Sequence, residues 1–197
     1  MKKITLSILG LLAFGYASAQ DDAAGGKGFA NGDVFISGGV GISSETWDED
    51  KYTTFTFAPK VGFFVTENIA VGVAIEYTGT TDDNGVNEVK SNTLGAGAFA
   101  RYYASPASDF SFFAELGAMY QSTKQEMGGG DLKSNGFNIA LSPGVSYFIS
   151  NNFALEASIG VLSYETDKAD LDGAEARNTF ELGVGLSDIS LGLVYKF

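Results

Sequence analysis

The sequence contains no cysteine and no histidine. Without cysteine there is no disulfide, no thiolate metal site and no cysteine to carry a lipid at a cleavage point. Without histidine, the usual general base for activating a serine or a water is missing. Basic residues are few, 12 against 24 acidic ones, for a net charge of -12. That balance argues against a nucleic-acid partner, because phosphate binding needs basic patches. Proline occurs three times in 197 residues, and beyond the N-terminal stretch no apolar run is long enough for a membrane helix.

What is present points to strands. Hydrophobic residues make up 45% of the chain and aromatic ones 13%, with 26 glycines. Glycine, Phe and Tyr in such supply, without long apolar runs, favour many strands over helices. The first residues read as a secretory signal peptide: Lys2 and Lys3, an apolar run from Ile4 to Phe14, and the small-residue motif Ala17-Ser18-Ala19. Cleavage before Gln20 removes residues 1–19, with two lysines and no acid, and moves the net charge to -14. Residues 20–32 lack periodicity and are read as a flexible N-terminal segment, and residues 33–197 as one domain with no composition break.

From Asp33 onward, apolar and small or polar residues alternate with period two. Strand one carries Val34, Ile36, Val40 and Ile42 on one face. Strand two carries Phe55, Phe57, Pro59, Val61, Phe63 and Val65, and strand three Ile69, Val71, Val73, Ile75 and Tyr77. Strands four to six continue the pattern through Leu94–Tyr102, Phe110–Tyr120 and Phe137–Ile149. Strand seven places Phe153, Leu155, Ala157, Ile159 and Val161 outward and Leu162 inward. The eighth runs to the C-terminus. Long polar stretches, at about 79–92, 121–135 and 165–177, alternate with short turns at Thr66–Asn68, Ser105–Asp109 and Ser150–Asn152. The odd lengths of those turns bring like faces together across each hairpin, and a one-residue slip would invert a strand.

Alternation alone does not separate a membrane wall from a soluble sheet; the two faces do. One face is almost wholly Val, Ile, Leu, Phe, Tyr and Ala. The other mixes Gly, Ser and Thr with Lys60, Glu76, Arg101, Glu115 and Glu156. The aromatics of the apolar face fall near the short turns (Phe63, Tyr102, Phe110, Tyr147, Phe153) or near the long connections (Phe55, Phe57, Tyr77, Tyr120, Phe137), with aliphatic residues between. Two aromatic girdles around an aliphatic band, short turns on one side and long connections on the other, predict an all-β, eight-stranded antiparallel up-and-down transmembrane β-barrel. In the last strand Phe180, Leu182, Val184 and Leu186 are apolar on even positions, whereas Leu191, Leu193, Tyr195 and Phe197 are apolar on odd ones. A one-residue shift is therefore expected near Ser187–Asp188, as a β-bulge.

The signal peptide, the eight-strand meander, the acidic outer connections and the Tyr195-Lys196-Phe197 ending resemble the small outer-membrane β-barrel proteins of the OmpX and OmpA-transmembrane type. Barrels of this kind form the outer membrane protein beta-barrel domain families of Gram-negative bacteria. The resemblance implies residence in the outer membrane, and Leu191, Leu193, Tyr195 and Phe197 as the C-terminal signal read by the assembly machinery. Its other implied partners are outer-membrane lipid and lipopolysaccharide.

Inside such a barrel, Lys60 and Glu76, at similar heights across the second hairpin, and Arg101 near Glu115, with Glu156 beyond, read as a salt-bridge network. Eight strands leave an interior roughly filled by side chains. The inward glycines Gly39, Gly41, Gly62, Gly72, Gly95 and Gly97 would leave space within it. Asp170, Asp172 and Gly173 match part of a calcium loop, but Lys168 and Thr179 stand where its first and last ligands belong. The expectation is a monomer without cofactor, metal or enzymatic activity. Its role would be structural or in surface interaction, the alternative being a narrow channel for small solutes or apolar molecules.

Overall fold

The computed structural model describes residues 26–47, 50–85, 87–127, 130–171, 173–185 and 189–197. The signal peptide therefore lies outside the described residues. Six long strands come first: β1 (Val34–Trp47), β2 (Asp50–Phe64), β3 (Ile69–Asp83), β4 (Glu88–Tyr103), β5 (Phe110–Met127) and β6 (Gly130–Phe148). The seventh wall strand is made of β7 (Phe153–Ile159) and β8 (Leu162–Ala169). The eighth is made of β9 (Arg177–Leu182) and β10 (Ile189–Lys196). Every neighbour is antiparallel, and β10 pairs with β1 to close an eight-stranded barrel.

The short turns have the expected registers. Val65 pairs its N–H with the Ile69 carbonyl, and Thr66 Oγ1 accepts from the amides of Asn68 and Ile69 at 3.3 and 3.0 Å. Ser150 Oγ does the same for Phe153 at 3.0 Å. The stretches read as long loops are largely strand: β3 runs on to Asp83, β4 begins at Glu88, and β5 and β6 pair as far as Met127 and Gly130. Both faces are polar there, so hydropathy alternation disappears while backbone pairing continues. Threonine pairs across strands mark the extension, Thr54–Thr80, Thr56–Thr78 and Thr93–Thr123, at 3.4, 3.2 and 2.9 Å. Strands of 18 and 19 residues (β5 and β6) greatly exceed the 9–11 or so that cross hydrocarbon, so the barrel projects beyond the membrane.

Two strand irregularities fall at prolines. Pro143 on β6 has no N–H to give the ladder. Opposite it the register slips: Gly144 faces Ser158, but Leu141 faces Leu162, so Ile159, Gly160 and Val161 oppose only Ser142 and Pro143. This is a β-bulge, and it corrects the reading of strand seven: beyond it the phase inverts, and Leu162 joins Leu141 and Leu182 on the outer wall. The eighth strand inverts in step. Leu182 lies beside Leu162 and Ile189 beside Ile159, although seven positions separate the two outward residues. The bulge expected at Ser187–Asp188 itself lies outside the described residues.

Pro59 on β2 faces Gly38 of β1, whose φ is 152°. At Gly38 the pairing of β1 with β10 ends, having covered only Phe35–Gly38. Above it, β1 keeps β2 on one edge, and among the described residues no strand pairs its other edge.

The core fills the short-turn end of the barrel. Phe35, Phe64, Tyr103 and Phe148 are buried there, and in their midst lies Phe29, 3% exposed, with ring centroids 4.7–5.3 Å from all four. Residues 26–32, read from composition as flexible, thus fold under the barrel. Lys196 anchors them by donating to the Gly28 and Gly26 carbonyls at 2.6 and 3.2 Å. A glycine allows the approach: a Cβ on Gly28 would stand 2.5 Å from the Ala107 carbonyl carbon. Inward glycines of the wall have a related use. Gly62, Gly72 and Gly144 face Phe35, Phe99 and Phe113 across the ladder, and each ring lies where a Cβ would be. Aromatic surface, not empty space, occupies those positions.

Phe29→Ala should remove the centre of this cluster. The expected loss is about 3–5 kcal/mol, read as a lower urea midpoint for the barrel folded in liposomes. An unchanged midpoint would mean that the segment under the barrel adds nothing to its stability.

Candidate functional site

Above the aromatic floor sits a layer of charge. Arg101 on β4 is at its centre, placed directly opposite Glu115 on β5 by the ladder. Its Nε and Nη2 donate to Glu115 Oε2 at 3.0 and 2.6 Å. Its Nη1 donates to both oxygens of Glu156 on β7 at 2.8 and 2.9 Å, and to the Tyr103 hydroxyl at 2.7 Å. Tyr103 in turn donates to Glu156 Oε1 at 3.2 Å. The guanidinium carbon lies 4.3 Å from the Phe113 ring centre, with Phe99, Phe35 and Tyr103 within 6 Å. Lys60 on β2 completes the set with an ion pair to Glu115 Oε1. Side-chain exposures of 4% for Arg101, 10% for Glu115 and 8% for Glu156 place these charges out of water. Burial at that level is tolerable only because each is paired.

The expected partner of Lys60 was Glu76; the structure gives it Glu115 instead. The reason is strand tilt. Hydrogen-bonded pairs lead from Lys60 through Ala74 and Gly97 to Met119. Glu115 lies four positions nearer the short turns. The Arg101–Glu156 contact has the same offset: Glu115 faces Ser142, but Glu156 faces Ser146. Four residues rise roughly 13 Å while three strand spacings cover roughly 14 Å, a tilt of about 40° and ordinary for a barrel. Side chains at one height are therefore not hydrogen-bonded neighbours. Glu76 is left higher in the lumen, with an amide from Gln121 at 3.5 Å.

The sequence placed Lys60, Glu76, Arg101, Glu115 and Glu156 in one network; the structure brings Lys60, Arg101, Glu115 and Glu156 together and leaves Glu76 apart. The expected network did not include Tyr103, Lys196 or Phe29. A large aromatic on the inward face, opposite or diagonal to a glycine, was the available signal for the rings of the floor.

Over the charged layer is a cavity of about 570 Å³. Thr56, Glu76, Ser142 and Ser158 line it, with Lys60, Arg101, Glu115 and Glu156 at its base. Outside the membrane, Lys124 on β5 is held above the ordinary lysine range by hydrogen bonds to Glu126 and Asp131. The partial calcium-loop pattern includes Asp172, which lies outside the described residues. Leu191, Leu193 and Tyr195 point to the outer wall, 74%, 49% and 38% exposed. Tyr195 sits 5.0 Å from both Phe153 and Phe197.

An apolar exterior banded by aromatics around a filled, polar interior is the arrangement of an outer-membrane β-barrel. The family model described as outer membrane protein beta-barrel domain matches residues 7–197, and the chain belongs to that family. No curated protein matches it. Among solved structures it is similar to the outer membrane protein OprG from Pseudomonas aeruginosa, at 15% identity over 86% of this chain and 98% of that one, with a TM-score of 0.57. The N-terminal β-barrel domain of Pseudomonas aeruginosa OprF gives 14% identity over 86% and 100%, TM-score 0.49. Ail, the attachment invasion locus protein of Yersinia pestis, gives 17% over 85% and 99%, TM-score 0.43. At such identities the likeness to OprG is one of fold.

Arg101→Met should strand Glu156 and cost about 3–5 kcal/mol in a urea titration of the folded barrel. Adding Glu156→Gln to that variant should return part of the loss, because the uncompensated carboxylate is then gone. A double variant as unstable as the sum of the singles would show that the two groups do not interact.

Proposed function

We propose that this protein is an outer-membrane barrel closed along its axis, with a structural or surface-interaction role exercised through the hairpins it holds outside. The observation that carries this reading is the double closure of the lumen: the Phe29-centred aromatic floor and, on it, the Arg101–Glu115–Glu156–Lys60 layer. A solute moving down the axis would have to break a fully paired charge network in low dielectric before meeting five packed rings. The hairpin tips are predominantly acidic, although several charges are internally matched, as in Lys90–Glu88 and Lys124–Asp131. Acidic tips suit contact with the divalent cations that bridge lipopolysaccharide.

The chain reaches its membrane as a monomer exported through the cleaved leader at residues 1–19. Leu191, Leu193, Tyr195 and Phe197 are the segment recognised by the assembly machinery. Their support is a continuous outward row at the closing strand, beside β7 and β1. The absence of histidine supports a non-enzymatic role.

In planar bilayers the purified protein should show no reproducible conductance steps. Combining Phe29→Ala with Arg101→Ser, which opens both closures, should produce them. Large steps from the unaltered protein would overturn the reading.

A further inference from the structure

The cavity above the charged layer is lined by groups that the layer leaves unused. Ser37 on β1 is 5% exposed, and among the described residues its hydroxyl has no hydrogen-bond partner. It lines the cavity. Buried hydroxyls are ordinarily partnered, so this one is placed to meet a molecule held there. Lys60 faces Ser37 across the β1–β2 ladder. Its ammonium carries three N–H donors, and Glu115 is its one carboxylate partner among the described residues. With 28% of the side chain exposed, the remaining donors reach the cavity.

Glu76 is the diagonal neighbour of Lys60, two positions beyond Ala74 on β3, and such neighbours lie about 7–8 Å apart. Lys60 and Arg101 are matched by Glu115 and Glu156, so the cavity holds three carboxylates against two cations. The unmatched acid is Glu76, half-buried, with only the long contact of 3.5 Å from the Gln121 amide. Ala58, on its β2 side, is too short to cover it, and both line the cavity. Thr56, Ser142 and Ser158 add neutral hydroxyls to the same lining. At about 570 Å³ the space has the size of a small-molecule site, roughly 300–1,000 Å³.

These groups call for two features in one ligand. A carboxylate without a cation takes a single ammonium. An unpartnered serine, a lysine with donors to spare and several hydroxyls take a molecule rich in hydroxyls of its own. We propose that this cavity is a binding site for small amino sugars, each a polyhydroxylated ring with one charged amine. Glu76 receives the amine. The ring hydroxyls accept from Lys60 and pair with Ser37 and Thr56. The diagonal from Glu76 to Lys60 suits the span of one pyranose ring with its substituents. The site does not depend on axial closure. Conductance steps in planar bilayers would remove the closure and leave the binding site standing.

The test uses the full-length barrel in phosphatidylcholine nanodiscs, with affinities read from saturation-transfer NMR titrations. Glucosamine is the probe, in mildly acidic buffer that keeps its amine charged. Glucose lacks the amine, and cyclohexylamine lacks the hydroxyls. Glucosamine should bind on the order of tenfold more tightly than either, the effect of one poorly screened carboxylate or of a few hydrogen bonds. Glu76→Gln should weaken glucosamine to the level of glucose and leave glucose unchanged. Ser37→Ala should weaken both sugars about fivefold and spare cyclohexylamine. Glu126→Gln, at a hairpin tip, should change nothing. Heat-modifiable migration on gels confirms that each variant is folded, and the three-ligand comparison on the unaltered protein decides alone if one is not. No measurable binding of glucosamine would overturn the proposal, as would equal affinity for glucose. Cyclohexylamine bound as tightly as glucosamine would reduce the site to a bare carboxylate and overturn it too. So would glucosamine binding that Glu76→Gln leaves intact.

Discussion

Everything in this barrel depends on the rule that a backbone amide or carbonyl in hydrocarbon must be paired within the protein. A sheet satisfies that rule only by closing on itself. Here closure is made by a short ladder, Phe35–Gly38 against Leu193–Lys196, at the short-turn end. The same end receives the buried rings and the anchored segment from Gly26 to Gly32. Closure, core and anchor reinforce one another within a few residues: Phe35 is in the ladder and in the core, and Lys196 is in the ladder and holds the segment below. Stability is therefore concentrated near the base.

A narrow closed sheet encloses a space that must be filled, and filling it decides which residue types face inward. Large rings and glycines alternate between neighbouring strands, so that Phe35, Phe99 and Phe113 each lie over a glycine of the next strand. Arginine suits the layer above because its planar fork serves two carboxylates at once while its faces rest on aromatic rings. A lysine at position 101 would supply one point charge and leave one acid poorly served. The cavity begins where this filling stops, and above the charged layer its inward residues are mainly Ser, Thr and Gly, with Glu76.

The departures from regular pairing share a cause. Pro143 cannot donate to the ladder and faces a bulge; Pro59 faces the glycine at which β1 parts from β10. The missing N–H of Pro143 thus sets where the seventh strand changes phase, and that of Pro59 coincides with a break in the β2–β3 ladder at Ala58–Pro59. The phase change in β7–β8 is matched in β9–β10, which keeps apolar residues on the lipid side of both strands.

Strand number, the lipid-facing rows, the girdles and the short-turn registers were legible in the sequence. Period-two alternation is a local property, and odd turns such as Ser150–Asn152 transmit it from strand to strand. The phase change of the last strand was legible for the same reason. Its counterpart at Gly160–Val161 was not, because the cue lies across the ladder, at Pro143. The outer halves of the hairpins escaped notice because a strand polar on both faces leaves no hydropathy signal. Membership of Lys60, Arg101, Glu115 and Glu156 in one network followed from their inward phase. Their pairing did not, because tilt sets Lys60 level with Glu115, four positions from its hydrogen-bonded row. The place of Phe29 among the floor rings and the separation of Glu76 from the charged network depended likewise on distances between residues far apart in the chain. Local pattern determined the wall; only closure in three dimensions decided what fills it, because height around a tilted barrel is not written in the order of residues.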